Sequence, residues 1–260
     1  MAKRVALVLS SGSSRGLAHI GAIEALEERG YVISSVAGCS MGAIVAGMYA
    51  AGKVEELKLW FTEMTRRRML ELTDFSIGKS YLVKGEKIME ALGELIPDMR
   101  IENLPIPLAL VATDMYTGRE VVFESGDLNK AIRASFSLPV VLQPVKEQEM
   151  LLMDGGISNP LPLNRVRRQE GDILVSSNVS GPWESGRDET SGPKLLDRVS
   201  DVMIWQHCEL MKQLCPPDIS IDIAMNSFGS FDYNKADEII RFGYEKMCKA
   251  IDDYEISTRS

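Results

Sequence analysis

Gly38-Cys39-Ser40-Met41-Gly42 sets a serine between two glycines at the spacing of a nucleophile turn. Such a serine sits on a tight strand-to-helix turn, and glycines at Gly38 and Gly42 leave room for close backbone approach. Its hydroxyl projects at a helix N-terminus, where backbone N–H groups and the helix dipole favour developing negative charge. The chemistry on offer is nucleophilic attack on a carbonyl. The competing reading is a Gly/Ser loop that only lets a helix pack on a strand. Cys39 is a rival nucleophile, but in this turn its side chain points away, and it reads as a small buried residue.

A second segment, Ser10-Ser11-Gly12-Ser13-Ser14-Arg15-Gly16, follows an aliphatic run and opens a helical pattern. Its N–H groups could cradle an anion. It is not a P-loop, because no Gly-Lys-Ser/Thr follows. It has the look of the Gly-x-x-x-Gly turn of NAD(P)-dependent short-chain dehydrogenases, and a Tyr-x-x-x-Lys pair exists at Tyr49 and Lys53. That pair falls on the small apolar helix near the start of the chain, however. The second strand runs into Gly38-Cys39-Ser40 instead of ending on an acidic residue that would hold a ribose. The third reading is an oxyanion hole, with backbone donors about 3 Å from the developing charge.

A serine hydroxyl needs a base. The chain has two histidines. His19 lies within the first helical pattern. His207 lies mid-helix among Met203, Leu210 and Met211, and reads as structural, although Ser40, Asp154 and His207 follow the Ser…Asp…His order of α/β-hydrolases. Asp154 is a different case. Met150 to Met153 is an apolar strand, and Asp154-Gly155-Gly156 ends it in a turn, which delivers a carboxylate from a buried element to an edge. A plain Asp-Gly turn would look the same. As a base for serine, this aspartate needs an apolar setting that raises its pKa from about 3.9.

The elements that must position these groups follow from the apolar pattern. Val5 to Leu9 is a continuous aliphatic run, as in a strand buried on both faces. Leu17, Ile20, Ile23 and Leu26 are spaced as on a helix ended by Gly30, and Ile33 to Ala37 is a second strand. Ala43 to Ala51 reads as a buried helix stopped by Gly52. This is the opening of an α/β fold with a parallel sheet. Strands are expected at 107–112, 120–123, 150–153, 172–177 and 219–224, and helices at 128–135, 194–214 and 236–251. Residues 53–100, with Trp60, Phe61, Met64, Met69, Phe75 and Arg66-Arg67-Arg68, read as helices and loops that wall an acyl pocket or simply pack. Ser180 to Pro193 is a loop by composition. The part from about 194 is expected to join the same sheet, making residues 1–260 one domain.

Composition removes some classes. At 260 residues, with 45% hydrophobic and 25% charged residues, the chain can build its own core. A net charge of −8 argues against nucleic acid. Four cysteines at uneven spacing suit free thiols in a reducing compartment, and no stretch is long and apolar enough for a membrane span. The expectation is a soluble cytoplasmic protein, with transient membrane-surface contact open to it.

Taken together the segments resemble the patatin-like phospholipase family. The resemblance rests on Ser11 to Gly21, the turn at Ser40, Ala134-Ser135-Phe136-Ser137-Leu138-Pro139 with Pro144-Val145, Asp154 to Pro162, and Phe231-Asp232 to Gly243-Tyr244. It implies a three-layer α/β/α fold with a mostly parallel sheet. It implies hydrolysis of lipid acyl esters by a Ser40–Asp154 dyad through an acyl-enzyme, with no histidine, metal or cofactor. The backbone N–H groups of Gly12, Ser13 and Ser14, with Met41, would form the oxyanion hole; Arg15 and Gly16 would support that loop, and Gly155 and Gly156 the aspartate turn. One departure stands out: Ser11 and Ser13 occupy positions where the family usually has glycine, which motivates a non-catalytic or weakly active regulatory protein on the same fold as the alternative. If either position needs a positive φ, serine is strained there.

Overall fold

The computed structural model describes residues 3–63, 91–96, 98–139, 142–184 and 192–259. Met64, Arg66 to Arg68, Met69 and Phe75 lie outside the described residues.

Among the described residues one mixed sheet carries the strands β1 (Lys3–Leu9), β2 (Tyr31–Cys39), β3 (Leu108–Asp114), β4 (Arg119–Phe123), β5 (Val145–Glu147), β6 (Met150–Asp154), β7 (Ile173–Gly181) and β8 (Ile219–Ala224). The order is β5-β6-β3-β2-β1-β7-β8, with β4 paired to β3. Strands β3, β2, β1, β7 and β8 run parallel, and β4, β5 and β6 supply the antiparallel pairings. The helices are α1 (Ala18–Glu28), α2 (Met41–Ala50), α3 (Val54–Thr62), α4 (Leu128–Ser135), α5 (Gly192–Leu214) and α6 (Ala236–Arg259).

Alternation along β1 explains the layers. Val5, Leu7 and Leu9 face a core built with α1, α2 and α6, whereas Ala6 and Val8 face Leu161, Leu163, Cys208 and Met211. Helices therefore cover both faces, and β1 is apolar on both, as its unbroken aliphatic run required. Leu17, Ile20, Ile23 and Leu26 are all essentially fully buried, each contributing roughly 1.5–3 kcal/mol of transfer free energy. Helix α1 lies against α6 with backbone nearly touching backbone. A Cβ on Gly21 would fall 1.9 Å from the Ile240 carbonyl oxygen, and one on Gly243 would fall 2.0 Å from that of Ala18.

Element boundaries differ from the sequence reading where polar residues belong to strands. Strand β2 begins at Tyr31 and runs through Gly38-Cys39, and β7 continues past Ser177 through Asn178 and Ser180, all buried. The expected loop at Ser180 thus starts after Gly181. The part beyond 192 adds β8 beside β7 and α6 against α1. Phe61 is buried and stacks on Tyr233 at 5.6 Å, and Trp60 packs against the same core, so these two aromatics serve as packing.

One detail of the sheet sets up the site. Strand β3 pairs with β2 over Leu108 to Val111, with β4 over Leu110 to Asp114, and with β6 over Ala112 to Asp114. A strand has two edges, and β4 overlaps both of the others, so β2 and β6 must share the opposite edge. They meet there head-on: Cys39 ends β2 opposite Val111, and Asp154 ends β6 opposite Ala112.

Candidate active site

The head-on meeting brings Ser40 and Asp154 together although 114 residues separate them. Ser40 Oγ donates to Asp154 Oδ2 at 2.5 Å, and both residues are buried. The second carboxylate oxygen, Oδ1, accepts from the Gly156 N–H at 2.8 Å. Burial raises the Asp154 pKa from an ordinary 3.8 to about 6, against the opposing pull of those two hydrogen bonds. The carboxyl therefore has the apolar setting that a base for serine requires.

Ser40 holds φ 55° and ψ −122°, a conformation rare for a side-chain-bearing residue, and caps α2. The glycines around it are sterically demanded. A Cβ on Gly38 would lie 2.3 Å from the Gly42 carbonyl oxygen. One on Gly42 would lie 2.4 and 2.5 Å from the carbonyl oxygens of Leu9 and Ser10. At the other strand end, a Cβ on Gly155 would meet the Val111 carbonyl oxygen at 2.2 Å and Cys39 Sγ at 3.0 Å. One on Gly156 would press on Asp154 Oδ1 at 2.9 Å and Ser11 Oγ at 3.2 Å. Cys39 itself is buried, and burial pushes its thiol pKa well up, so it stays a packed, protonated thiol.

The Ser10–Gly16 loop wraps the same turn. Gly12 packs under Val179, whose Cγ2 a Cβ would meet at 2.2 Å, and Gly16 packs under Met41. Residues Ser13–Leu17 form a 3-10 turn, so the N–H of Ser13, like that of Met41 at the start of α2, has no partner within its own helix. The N–H of Ser14 is turned to the Ser230 carbonyl at 3.3 Å. The Ser14 N–H is thus already engaged, against the expectation that all three loop N–H groups are free to donate. Ser13 sits at φ 50°, so the strain expected of a serine in place of glycine falls on Ser13 and not on Ser11.

Buried side chains brace the loop. Arg15 donates from Nε to the Val179 carbonyl at 3.0 Å and from a terminal nitrogen to that of Phe228 at 3.3 Å. Burial lowers its pKa, with Asp201 opposing. His19 is fully buried between the Ser10 carbonyl oxygen (Nε2, 2.9 Å) and Ser177 Oγ (Nδ1, 2.8 Å). A carbonyl only accepts, so Nε2 carries the proton and Nδ1 accepts from the Ser177 hydroxyl. Burial lowers the His19 pKa to about 4, which leaves it a neutral strut. His207 is half-buried on α5, next to Cys208, which packs beneath β1. The hydroxyl of Ser40 is bonded to a carboxylate and not to an imidazole.

Sequence reasoning missed the other contacts of the pair. The Ser40 N–H donates to Ser135 Oγ at 3.0 Å, and the Asp154 N–H to the Ser137 carbonyl at 2.9 Å. Thr113 Oγ1 donates to the Asp154 carbonyl oxygen at 3.0 Å. The available signal was Ala134-Ser135-Phe136-Ser137, two small polar residues at a helix end with no surface role in the apolar pattern.

Fold and site together define an α/β protein with a serine–carboxylate pair where two strands of a mixed sheet meet, beside a loop rich in backbone donors. The family model for patatin-like phospholipase matches residues 7–166, and the chain belongs to that family. An uncharacterized NTE family protein of Mycobacterium tuberculosis is 43% identical over 192 residues, covering 74% of this chain and 53% of the relative. The chain thus spans about half the length of such mycobacterial relatives. The lysophospholipase NTE1 of Mycosarcoma maydis is 28% identical over 283 residues, covering 96% of this chain and 15% of its own length. Among solved structures, VipD from Legionella pneumophila superposes with a TM-score of 0.52 at 16% identity, covering 97% of this chain and 67% of VipD; this likeness is one of fold. No helix among the described residues is long and apolar enough to cross a membrane.

Proposed function

We propose that the chain, read as one domain over 1–260, hydrolyses carboxylic esters of lipids through an acyl-enzyme on Ser40. The observation that carries the reading is the 2.5 Å bond from Ser40 Oγ to a buried Asp154 whose pKa is raised to about 6. Above that pH the carboxylate is ionised and takes the Ser40 proton as Oγ attacks the ester carbonyl. The oxyanion is held by the N–H groups of Gly12, Ser13 and Met41. Asp154 then returns the proton to the departing alcohol as the C–O bond breaks. Water attacks the acyl-Ser40 ester, losing its proton to Asp154, and that proton returns to Ser40 Oγ as the free acid leaves. Free cysteines at all four positions suit a reducing compartment such as the cytoplasm.

The test is the product spectrum from diacyl phospholipid, lysophospholipid and neutral acylglycerol, with Asp154→Asn as the blank. Free fatty acid released by the wild type and not by the variant is the expected result. Equal release by both sinks the reading. A second reading, a weakly active regulatory protein, is favoured by one observation, the strained Ser13 in the donor loop.

A further inference from the structure

Ser40 is the last place in this fold where a buried N–H should be left to chance. Strand β2 has ended at Cys39 and α2 begins at Met41, so the Ser40 N–H belongs to neither ladder. Its carbonyl already serves α2, accepting from Ala43 at 2.9 Å and Ile44 at 3.2 Å. The φ of 55° can persist only if the surroundings over-determine it. The group that takes the N–H is Ser135 Oγ, fully buried on the last residue of α4. Two residues further on, the Ser137 carbonyl takes the Asp154 N–H.

That short segment is itself fixed. Ser137 Oγ donates to the Arg133 carbonyl at 2.8 Å and accepts from the Arg133 guanidinium, which also reaches the Gln143 carbonyl at 2.8 Å. Asp127 caps the start of α4 by accepting from the Lys130 N–H at 2.9 Å. Ile132 and Leu128 of α4 close against α2, where a Cβ on Gly47 would meet Ile132 Cδ1 at 2.8 Å. The helix is thus anchored at both ends and along one side, while its last residue, Ser135, and Ser137 just beyond it accept the peptide N–H of the two partners.

We infer that Ser135 is a positioning residue, whose hydroxyl oxygen holds the Ser40 turn so that Oγ stays in line with Asp154. Ser135 touches no reacting atom. It acts by accepting the Ser40 N–H, while Ser137 fixes the opposing strand end from the same backbone segment. Without that acceptor the turn relaxes toward negative φ, swings the N–H to another partner and draws Oγ off the carboxylate. A displacement near 1 Å at a reacting centre lowers turnover by about a hundredfold at most and about tenfold for part of that shift. Substrate contacts are untouched, so the loss falls on kcat and not on KM.

The inference rests on the Ser40–Asp154 mechanism, and its test separates the two. Ser135→Ala, Ser135→Cys and Ser135→Thr are compared with Ser40→Ala, using a soluble p-nitrophenyl ester and rates normalised to folded protein by circular dichroism. Cysteine keeps a γ atom in the site, somewhat larger than oxygen, and weakens the acceptor, so it carries the comparison if the alanine variant does not fold. The expected result is a kcat about 10–100-fold lower in Ser135→Ala and Ser135→Cys, KM unchanged, and recovery toward wild type in Ser135→Thr. The acid limb of kcat should also move up from about pH 6, because the Ser40 hydrogen bond that holds the Asp154 pKa down has been loosened. Wild-type kcat and an unmoved acid limb in the folded cysteine variant overturn the positioning role, while an inactive Ser40→Ala leaves the mechanism standing. An active Ser40→Ala overturns both.

Discussion

Asp154→Asn should make the protein more stable while removing its activity. The carboxyl is buried, and its pKa stands at about 6 against an ordinary 3.8. At 1.36 kcal/mol per pH unit, holding the ionised form in that site costs the fold about 3 kcal/mol. The sign follows from proton counting. Between pH 3.8 and 6 the folded chain keeps a proton that the unfolded chain has released, so stability falls as pH rises through that window. Above about pH 6 the penalty is complete. Asparagine is neutral throughout and can keep both contacts, its oxygen accepting from Gly156 and its amide donating to Ser40 Oγ. The gap between variant and wild type should therefore be near zero at pH 4 and open to about 3 kcal/mol at pH 8. In a domain of this size that is roughly 6–12 °C in melting temperature. Urea unfolding across pH 4–8 reads the gap directly. A variant no more stable than wild type at pH 8, or a gap that does not close toward pH 4, would falsify the claim that the fold holds a desolvated base.

Three further outcomes are expected. His19 carries the opposite sign: an unfolded imidazole takes up a proton below pH 6.5, but the buried ring does so only near pH 4. Wild type should accordingly lose about 3 kcal/mol relative to His19→Gln as pH falls through that window, measured by paired unfolding curves. Gly42→Ala drives a Cβ into the Leu9 and Ser10 carbonyl oxygens, and should lower the urea midpoint by an amount equivalent to more than about 2 kcal/mol, with loss of ester turnover. Ser13→Gly removes the strain at φ 50° but adds unfolded-chain freedom, so stability should change by less than about 1 kcal/mol and p-nitrophenyl ester turnover by less than tenfold. Activity that appears only in the glycine variant would instead favour the regulatory reading.

Much of the scaffold could be read from pattern because apolar periodicity reports burial. The aliphatic run of β1, the spacing along α1 and the bounds of α4 all follow from which residues must leave water. The ends of β2 and β7 were harder. Gly38, Asn178 and Ser180 look like loop residues, yet they are buried strand residues, and the two polar side chains find partners in and around the site. Ser40 and Asp154 were legible as types at the right kinds of turn. Their mutual approach was implied only by the family resemblance, since it depends on β2 and β6 sharing one edge of β3, a long-range pairing that no local pattern encodes. The role of His19 was hidden for a similar reason, because its partner Ser177 lies 158 residues away. The engagement of the Ser14 N–H was illegible because Ser230, which accepts from it, comes from the far end of the chain.

The proposal stands or falls on one atom, Ser40 Oγ. Incubation with a fluorophosphonate probe, followed by mass spectrometry of the digested protein, identifies the residue that attacks. A dyad mechanism predicts one adduct, on the peptide containing Ser40, formed faster as pH rises through about 6 and absent from Ser40→Ala. An adduct on any other residue, or equal labelling of Ser40→Ala, contradicts it.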